Sequence, residues 1–329
     1  MLVIVAPGQG AQKPGFLTSW LEEPAYASRL GWLSAVAGLD LAHYGTEADA
    51  DTIRDTAIAQ PLLVATGLVA ASSLSTDDDV FDLVGATAGH SVGEITAAAG
   101  SGAMSAEQAM VFVRERGNAM ADASARRPTS MTAVLGGDRE EVRAKLAELD
   151  LTAANDNGPG QIVAAGTVEQ LERLAEAPPA KARLMPLSVA GAFHTEHMAP
   201  AVDHLAALAS SIATAEPRVK VISNRDGTVV HGGREVLDRM VAQVSNPVRW
   251  DLCMKTMLDL GVTGMLELPP AGTLAGIAKR AMKGVETFTL NTPDDVEAAR
   301  EFVERHAEVR SGSDQTGSDE TIDDEGADR

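Results

Sequence analysis

Short apolar runs alternate along the chain with longer segments in which apolar residues recur every three or four positions. The short runs are typical of buried strands, and the longer segments are typical of helices with one face against a core. Strands are predicted at residues 2–6, 83–88, 184–189, 219–222, 265–268 and 287–290, and helices at residues 59–74, 106–121, 196–213 and 251–260. Because parallel strands need a crossover connection about as long as these helices, the alternation predicts an α/β fold whose mainly parallel sheet is covered by helices.

Residues 128–186 follow a different order. Six segments read strand, helix, strand, strand, helix and strand, and they are "MTAVLG", "DREEVRAKLAEL", "LTAAN", "QIVAAGT", "VEQLERLAEA" and "ARLMPL". This order is typical of the split, ferredoxin-like α+β unit, whose two ends lie close enough together to be inserted into another domain. The sequence therefore predicts a discontinuous core domain at residues 1–127 and 187–310, with a small subdomain inserted at residues 128–186.

The net charge of the chain argues against some classes of binding partner. The formal net charge is −20, which argues against non-specific binding to nucleic acid or to an anionic membrane, because both reward clustered Lys and Arg. Part of this charge lies in segment 311–329, which has seven acidic residues and Ile322 as its one large apolar side chain. Such a composition cannot offset the entropy lost on ordering, so a disordered acidic tail is predicted.

Other features favour a cytoplasmic protein. The first residues, "MLVIVAPGQG", have no basic flank and reach a Pro-Gly break at once, so they are interpreted as a buried strand and not as a signal peptide. The apolar segment "PLLVATGLVAASSL" is too short and too interrupted to span a bilayer. With Cys253 as the single cysteine, no disulfide can form within the chain.

A serine stands at a predicted sharp turn. Residues 89–93 read G-H-S-V-G, after an apolar run and before an alanine-rich one, so Ser91 lies in a strand-turn-helix context. This context is typical of a nucleophile elbow, in which small residues allow the tight turn and free N–H groups at the helix start stabilise negative charge. The alternative is that Ser91 only caps the helix, which is a common use of serine.

A serine nucleophile needs a base, and the chain has seven histidines. His194 follows a predicted strand and precedes a predicted helix, so it should lie at the same kind of sheet edge as Ser91. His197 and His204 fall within the following helix and are expected at the surface. His90 adjoins Ser91 but should point to the other side of an extended turn.

Seven motifs together resemble malonyl-CoA:acyl carrier protein transacylases. They are "PGQGAQ" (7–12), "AQPLL" (59–63), "GHSVGE" (89–94), "RERGNAM" (114–120), "NGPGQIVAAG" (157–166), "GAFHTEHM" (191–198) and "SNPVRW" (245–250). The resemblance implies a hydrolase-like α/β core with a ferredoxin-like insert. It also implies a ping-pong transfer of malonyl from coenzyme A, through a serine ester, to the phosphopantetheine thiol of acyl carrier protein, for fatty acid or polyketide synthesis.

The resemblance also implies roles for individual residues. Ser91 would be the nucleophile, and His194 would be first its general base and then the general acid for the departing thiolate. The main-chain carbonyl of Gln243 would orient the imidazole in place of a carboxylate. The main-chain N–H groups of Val92 and Gln9 would form the oxyanion hole.

The acyl pocket is expected around Arg116, which would bind the malonyl carboxylate through two charge-assisted hydrogen bonds. Arg114 and Arg116 are about 200° apart on a helix, so one of them can point inward, and the motif match selects Arg116. The alternative for Arg116 is a surface ion pair with Glu115 or Asp122. The other residues expected at the pocket are Met120, Phe193, Asn157 and His90. Phe193 would crowd a methyl-branched acyl group, although "GAFH" differs from the commoner "HAFH" of relatives.

The expected chemistry needs no bound cofactor and no metal, and nothing in the sequence requires more than a monomer. The expected substrates are malonyl-CoA and phosphopantetheinylated acyl carrier protein. Because carrier proteins are usually acidic, a local basic patch is expected at Lys181, Arg183, Lys279, Arg280 and Lys283. Two other functions remain open at this point, a serine esterase and a non-catalytic docking protein of a synthase.

Overall fold

The structure is a computed structural model that describes residues 1–76, 79–189 and 191–307. The acidic tail predicted at 311–329, and the end of the predicted core domain at 308–310, lie outside the described residues. Eleven strands form two sheets within them. The strands are β1 (Leu2–Ala6), β2 (Ala86–Gly89), β3 (Thr129–Gly136), β4 (Thr152–Asp156), β5 (Gln161–Thr167), β6 (Ala182–Pro186), β7 (Lys220–Ile222), β8 (Val229–Val230), β9 (Val248–Arg249), β10 (Gly264–Glu267) and β11 (Glu286–Thr289).

Thirteen α-helices lie in the described part of the chain. They are α1 (Thr18–Leu21), α2 (Pro24–Ala37), α3 (Leu41–Thr46), α4 (Thr56–Leu74), α5 (Gly93–Gly100), α6 (Ala106–Ser124), α7 (Arg139–Glu148), α8 (Val168–Glu176), α9 (Ala199–Ala209), α10 (Gly233–Gln243), α11 (Trp250–Asp259), α12 (Thr273–Ala281) and α13 (Val296–His306). The result is a mixed α/β fold, as the alternation of apolar runs predicts.

The larger sheet has six strands in the order β11-β10-β1-β2-β7-β8. All neighbouring pairs are parallel except β7 and β8, which are antiparallel. The central strand β1 is buried along its whole length because helices cover both faces of the sheet. Val3 and Val5 pack towards α11 and α12, whereas Leu2 and Ile4 pack towards α2, α4 and α6. This two-sided burial explains why β1 reads as an uninterrupted apolar run.

The smaller sheet has five strands in the order β6-β3-β5-β4-β9. Strands β3 to β6 come from one stretch of chain and pair antiparallel, and α7 and α8 cover the face that carries Val134 and Ile162. Strand β9 comes from the other part of the chain and pairs parallel with β4. The segment predicted at 184–189 therefore belongs to this sheet, as β6, and not to the parallel sheet.

The long apolar helix α4 is a core element. It has 19 residues with a mean hydropathy of 1.6, so length and composition alone would allow it to cross a membrane. However, 72% of its apolar window is buried inside the protein, where it packs against α2, α5 and α6. Its burial explains the run "PLLVATGLVAASSL" without a bilayer, although the helix begins earlier than the sequence predicts, at Thr56, where Asp55 caps it.

The helix predicted at 196–213 is shorter and divided. Thr195 caps a 3₁₀ turn at Glu196–Met198, and α9 begins after it with Pro200 in its first turn. The helix ends at Ala209, and the hydroxyl of Ser210 donates to the carbonyl of Ala207. Serine competes in this way for main-chain hydrogen bonds and so favours helix ends.

Candidate active site

Ser91 occupies a sharp turn between β2 and α5, at the carboxyl edge of the parallel sheet. Its φ of 53° lies in the left-handed region, which is costly for a residue with a side chain. Glycine is required on both sides of Ser91, at positions 89 and 93, because the backbone there is too close to other backbone atoms for a side chain. A Cβ on Gly93 would lie 2.3 Å from the carbonyl oxygen of Ala6, and one on Gly89 would lie 1.9 Å from the carbonyl carbon of Gly93. The turn therefore presents the Ser91 hydroxyl to the space above β1 and β2.

His194 meets Ser91 across this space. Its Nε2 lies 2.7 Å from Ser91 Oγ, and its Nδ1 lies 2.8 Å from the main-chain carbonyl oxygen of Gln243. Since Nδ1 donates to that carbonyl, Nε2 is the nitrogen that can accept the serine proton. Burial, and then the positive charge of Arg116, lower the pKa of His194 to about 3. The imidazole is consequently neutral near pH 7, as a proton acceptor must be.

Arg116 reaches the same point from α6, and its side chain is almost completely buried. Its guanidinium donates to Gln60 Oε1 at 2.5 Å and to Gln243 Oε1 at 2.8 Å, and it lies 3.4 Å from Ser91 Oγ. Burial lowers its pKa to about 10, so the group remains charged at neutral pH. The surface position considered for Arg116 is occupied instead by Arg114, which pairs with Glu115 at 2.9 Å.

These groups line a cavity of about 80 Å³ beside Ser91. Met120 and Phe193 form part of its apolar wall, and Gln9 and Val92 border it next to the serine. The Gln9 side chain donates to the main-chain carbonyl of Arg54 and to Thr56 Oγ1, both at 3.2 Å, which holds the loop after β1 in place. The cavity has room for a small acyl group next to the Ser91 hydroxyl.

His90 also borders the cavity, although its ring was expected on the opposite side of the turn. The left-handed backbone at Ser91 breaks the alternation that an extended strand would impose. The ring nitrogen Nε2 lies 2.9 Å from Asn157 Oδ1, and the ring meets Trp250 edge-on at 5.7 Å. Burial lowers the pKa of His90. Asn157, which was expected at the pocket, does not line the cavity and contributes through His90, whereas Asn155 does line it.

Among the residues of the site that were not assigned a role from the sequence, three polar ones contact the reacting groups or their partners. Gln60 is a lone amide in the apolar helix α4, Glu94 is a buried acid in the alanine-rich helix α5, and Asn224 follows the end of β7. Gln60 and Glu94 stand in apolar stretches of sequence where a polar side chain needs a partner, and that contrast is the signal that could have identified them, whereas Asn224 stands in the polar stretch "SNRD" and gives no such signal. Burial raises the pKa of Glu94 to about 7, against the opposing effect of its hydrogen bonds.

The remaining histidines stay away from Ser91 or at the surface. His204 is exposed on α9 and pairs with Glu115 at 3.0 Å, and His197 is partly exposed in the 3₁₀ turn before α9. Cys253 is buried. In the described ranges, no three His, Cys, Asp or Glu side chains are grouped so that they could hold a metal ion.

The basic residues predicted as a patch are all exposed. Lys181 and Arg183 lie at one end of β6, and Lys279, Arg280 and Lys283 lie at or just after the end of α12. Strand pairing connects the two groups, because Arg183 lies opposite Leu135, and Leu135 lies opposite Gln161, whose amide oxygen is 3.4 Å from Arg280. Leu135 and Gln161 therefore lie between the group at β6 and the group at α12.

The fold and the site define the class of protein. A serine on a glycine-flanked turn, paired with a buried neutral histidine at the carboxyl edge of a parallel sheet, is typical of α/β enzymes that form an acyl ester on serine. The model of the acyl transferase domain family matches residues 3–309. This chain therefore belongs to the acyl transferase domain family.

Relatives and solved structures agree with that assignment. Malonyl CoA-acyl carrier protein transacylase of Mycobacterium tuberculosis is 50% identical over 297 residues, which cover 90% of this chain and 98% of the relative. A crystal structure of the enzyme from Mycobacterium tuberculosis superposes with a TM-score of 0.87 at 49% identity, covering 91% and 99% of the two chains. A structure of a type II acyl-carrier protein in complex with its malonyl-transacylase matches with a TM-score of 0.84 at 28% identity, covering 91% of this chain and 99% of that one.

Proposed function

We propose that the protein transfers a malonyl group from malonyl-CoA to the phosphopantetheine thiol of holo acyl carrier protein, and so supplies extender units for fatty acid or polyketide synthesis. The names of its relatives support this reaction. The observation that carries the proposal is the buried Arg116 guanidinium, 3.4 Å from Ser91 Oγ in a small cavity. A fixed cation beside a nucleophile selects an acyl group that carries its own carboxylate.

The reaction takes place in two half-reactions at Ser91. Its Oγ attacks the thioester carbonyl carbon of malonyl-CoA while His194 Nε2 accepts the hydroxyl proton. The C–S bond then breaks, His194 returns the proton to the coenzyme A thiolate, and malonyl remains as an ester on Ser91. In the second half-reaction, His194 takes the proton of the phosphopantetheine thiol, the thiolate attacks the ester, and the proton returns to Ser91 Oγ.

Other residues support these two steps. The main-chain N–H groups of Gln9 and Val92 stabilise the oxyanion of each tetrahedral intermediate, a contribution that is commonly worth several kcal/mol. The carbonyl of Gln243 holds the imidazole in the tautomer that leaves Nε2 free. Arg116 has five N–H groups, and Gln60, Gln243 and the Ser91 hydroxyl engage three of them, which leaves two donors for the malonyl carboxylate.

Phe193 and Met120 limit the size of the acyl group, and His90, hydrogen-bonded to Asn157, also borders the cavity. A methyl branch would meet the Phe193 ring, so malonyl is preferred over methylmalonyl. Because one methyl group is worth about 1–3 kcal/mol in such a pocket, the preference corresponds to about 10- to 200-fold in kcat/KM. Acylation rates measured with the two thioesters give this ratio directly.

The domain organisation and the setting belong to the same proposal. Residues 1–127 and 187–310 form a hydrolase-like core, and residues 128–186 form a ferredoxin-like subdomain, which the contiguous antiparallel strands β3 to β6 support. The protein acts as a cytoplasmic monomer with no bound cofactor, and the exposed basic patch receives the acidic carrier protein. Sedimentation of the purified protein, with a mass of 34.2 kDa per chain, tests the oligomeric state.

Intact-mass spectrometry tests the function. Wild-type protein incubated with malonyl-CoA should gain one malonyl group, Ser91→Ala should gain none, and addition of holo carrier protein should remove the group from the wild type and place it on the carrier. Release of free malonate at the same rate with and without carrier would identify a serine esterase instead. Failure of the wild type to form an adduct would favour a docking protein.

A further inference from the structure

Asn224 connects the two sides of the Ser91 turn by hydrogen bonds. Its side chain is completely buried, its Oδ1 accepts the main-chain N–H of Ser91 at 2.8 Å, and its Nδ2 donates to the carbonyl of Gly89 at 2.7 Å. These two bonds bridge the residue with left-handed backbone and the end of β2. An amide is required, because one side must accept while the other donates.

Glu94 in turn holds Asn224 and Gln243. Its Oε1 accepts the main-chain N–H of Asn224 at 2.5 Å, and its Oε2 accepts the side-chain N–H of Gln243. The same Gln243 Nε2 donates to the carbonyl of Ser91 at 3.1 Å. Both carboxylate oxygens therefore receive donors from residues that touch the reacting groups.

The orientation of the Gln243 amide depends on this contact. Its Oε1 accepts from Arg116, while its main-chain carbonyl accepts from His194. A flipped amide would turn its NH₂ group towards the guanidinium and its oxygen towards the Glu94 carboxylate and the Ser91 carbonyl. Each of those contacts would place two donors or two acceptors together, so Glu94, Arg116 and the Ser91 carbonyl together determine which way the amide points.

We infer that Glu94 is a positioning residue, which aims Arg116 through the side chain of Gln243 and holds the Ser91 turn through Asn224. This inference rests on the proposed transfer of malonyl. Glu94 does not touch the substrate in this arrangement. Its effect reaches the reaction by two routes, one towards the carboxylate of the acyl group and one towards the nucleophile.

Two isosteric substitutions separate the two routes. In Glu94→Gln, the side-chain NH₂ group faces either the Asn224 N–H or the Gln243 NH₂ group, so one of these two hydrogen bonds is lost. The rate of malonylation should therefore fall on the order of 10- to 100-fold, and the rate of acetylation from acetyl-CoA should fall by less. The malonyl-to-acetyl rate ratio should therefore fall. Asn224→Asp cannot donate to Gly89 but still accepts from Gln243 Nε2, as Asn224 Oδ1 does at 3.3 Å, so it should slow both acylations to the same extent and leave the ratio unchanged.

A matched control is available at Glu267. This second buried carboxylate accepts the main-chain N–H groups of Gly272, Leu274 and Ala275 at 2.8–2.9 Å and so caps α12. Glu267→Gln should lower the melting temperature without changing the malonyl-to-acetyl ratio. In an Arg116→Ala background, Glu94→Gln should no longer change the ratio, because the guanidinium that it aims is absent.

Single-turnover acylation, followed by release of coenzyme A, measures all of these ratios. A folded Glu94→Gln protein with the wild-type rate and ratio would overturn the inference, as would an equal drop in ratio for Glu267→Gln. If Glu94→Gln does not fold, Glu94→Asp replaces it, since the shorter carboxylate reaches one donor at a time, and an unchanged ratio would again refute the role. Failure of the wild type to acylate would instead refute the proposed function.

Discussion

The charge of Arg116 should decide between malonyl and acetyl groups. In Arg116→Ala, a bound malonyl carboxylate would remain buried without its two charge-assisted hydrogen bonds. Breaking a buried ion pair in this way costs about 3–5 kcal/mol. At about 1.4 kcal/mol per factor of ten, kcat/KM for acylation by malonyl-CoA should fall about 140- to 4,000-fold.

Acetyl-CoA should respond in a different way, because the acetyl group has no carboxylate. The structure shows two effects of Arg116 that do not depend on the acyl group. It lies 3.4 Å from Ser91 Oγ, and its charge helps to lower the pKa of His194. Removing that charge makes His194 more basic, so acetylation should stay the same or increase. The malonyl-to-acetyl ratio should therefore fall at least as far as the malonyl rate.

The assay is single-turnover acylation with both thioesters, followed by coenzyme A release and by the mass of the acylated protein. Arg114→Ala is the matched control, because Arg114 lies on the same helix and pairs with Glu115 away from Ser91. Arg116→Lys should be intermediate, since an ammonium keeps the charge but not the bidentate geometry. Equal losses with malonyl-CoA and acetyl-CoA would show that Arg116 maintains the structure and does not select the substrate.

Three further predictions concern the patch, the base and the turn. Reversing the charge of Lys181 and Arg183 together should slow transfer to carrier protein, most strongly at low salt, and leave acylation by malonyl-CoA unchanged; an equal loss in both half-reactions would contradict steering by the patch. Because the folded pKa of His194 is about 3 and the unfolded value is 6.5, its effect on stability is absent above pH 6.5, and stability is lost as the pH falls below that. Between pH 6.5 and 5 the wild type should lose about 2 kcal/mol more than His194→Asn in urea unfolding, and parallel curves would refute the shift. Gly93→Ala should lower stability by about 1–3 kcal/mol, whereas Gly31→Ala in α2, where a Cβ meets open space, should be neutral or stabilising; similar melting temperatures for the two variants would contradict the close approach to Ala6.

The predicted parts of the fold are those in which one local pattern decides the outcome. The bounds of β1 and β5 agree with the sequence because each strand is a continuous apolar run bounded by turn residues. Helices α2, α10, α12 and α13 were not predicted. Each covers a sheet or another helix from outside, and its apolar stripe is interrupted by small or charged residues. Tertiary packing, which local spacing does not encode, stabilises such helices.

The residues of the site also differ in whether local sequence identifies them. Ser91 and Arg116 stand in motifs that are contiguous in sequence, so their neighbours identify them. Asn224 and Glu94 act on partners 130 or more positions away, through contacts that exist only after β2 and β7 have paired in the larger sheet. A single sequence does not show which distant residues contact each other in the folded protein. What it does contain is the contrast of a charged residue inside an alanine-rich helix, which indicates a buried partner but not its identity.

The charges of the site explain why His194 is oriented by a main-chain carbonyl and not by a carboxylate. A carboxylate at the position of the Gln243 carbonyl would lie close to Arg116 and would pair with its guanidinium. The malonyl carboxylate would then compete with a resident anion. Within the described residues, the Nδ1 partner is neutral, and the carboxylate of Glu94 is separated from Arg116 by the Gln243 amide.

The Arg116 guanidinium therefore has no resident carboxylate partner and is available to the acyl group. Its uncompensated charge also lowers the pKa of His194. Binding of malonyl changes this balance, because its carboxylate opposes the positive charge that lowers the pKa of His194. The base becomes stronger when the correct acyl group occupies the cavity. In the proposed reaction, acetyl-CoA would leave the charge of Arg116 uncompensated and the base weak, so the same guanidinium would select malonyl twice, once by binding its carboxylate and once by strengthening His194.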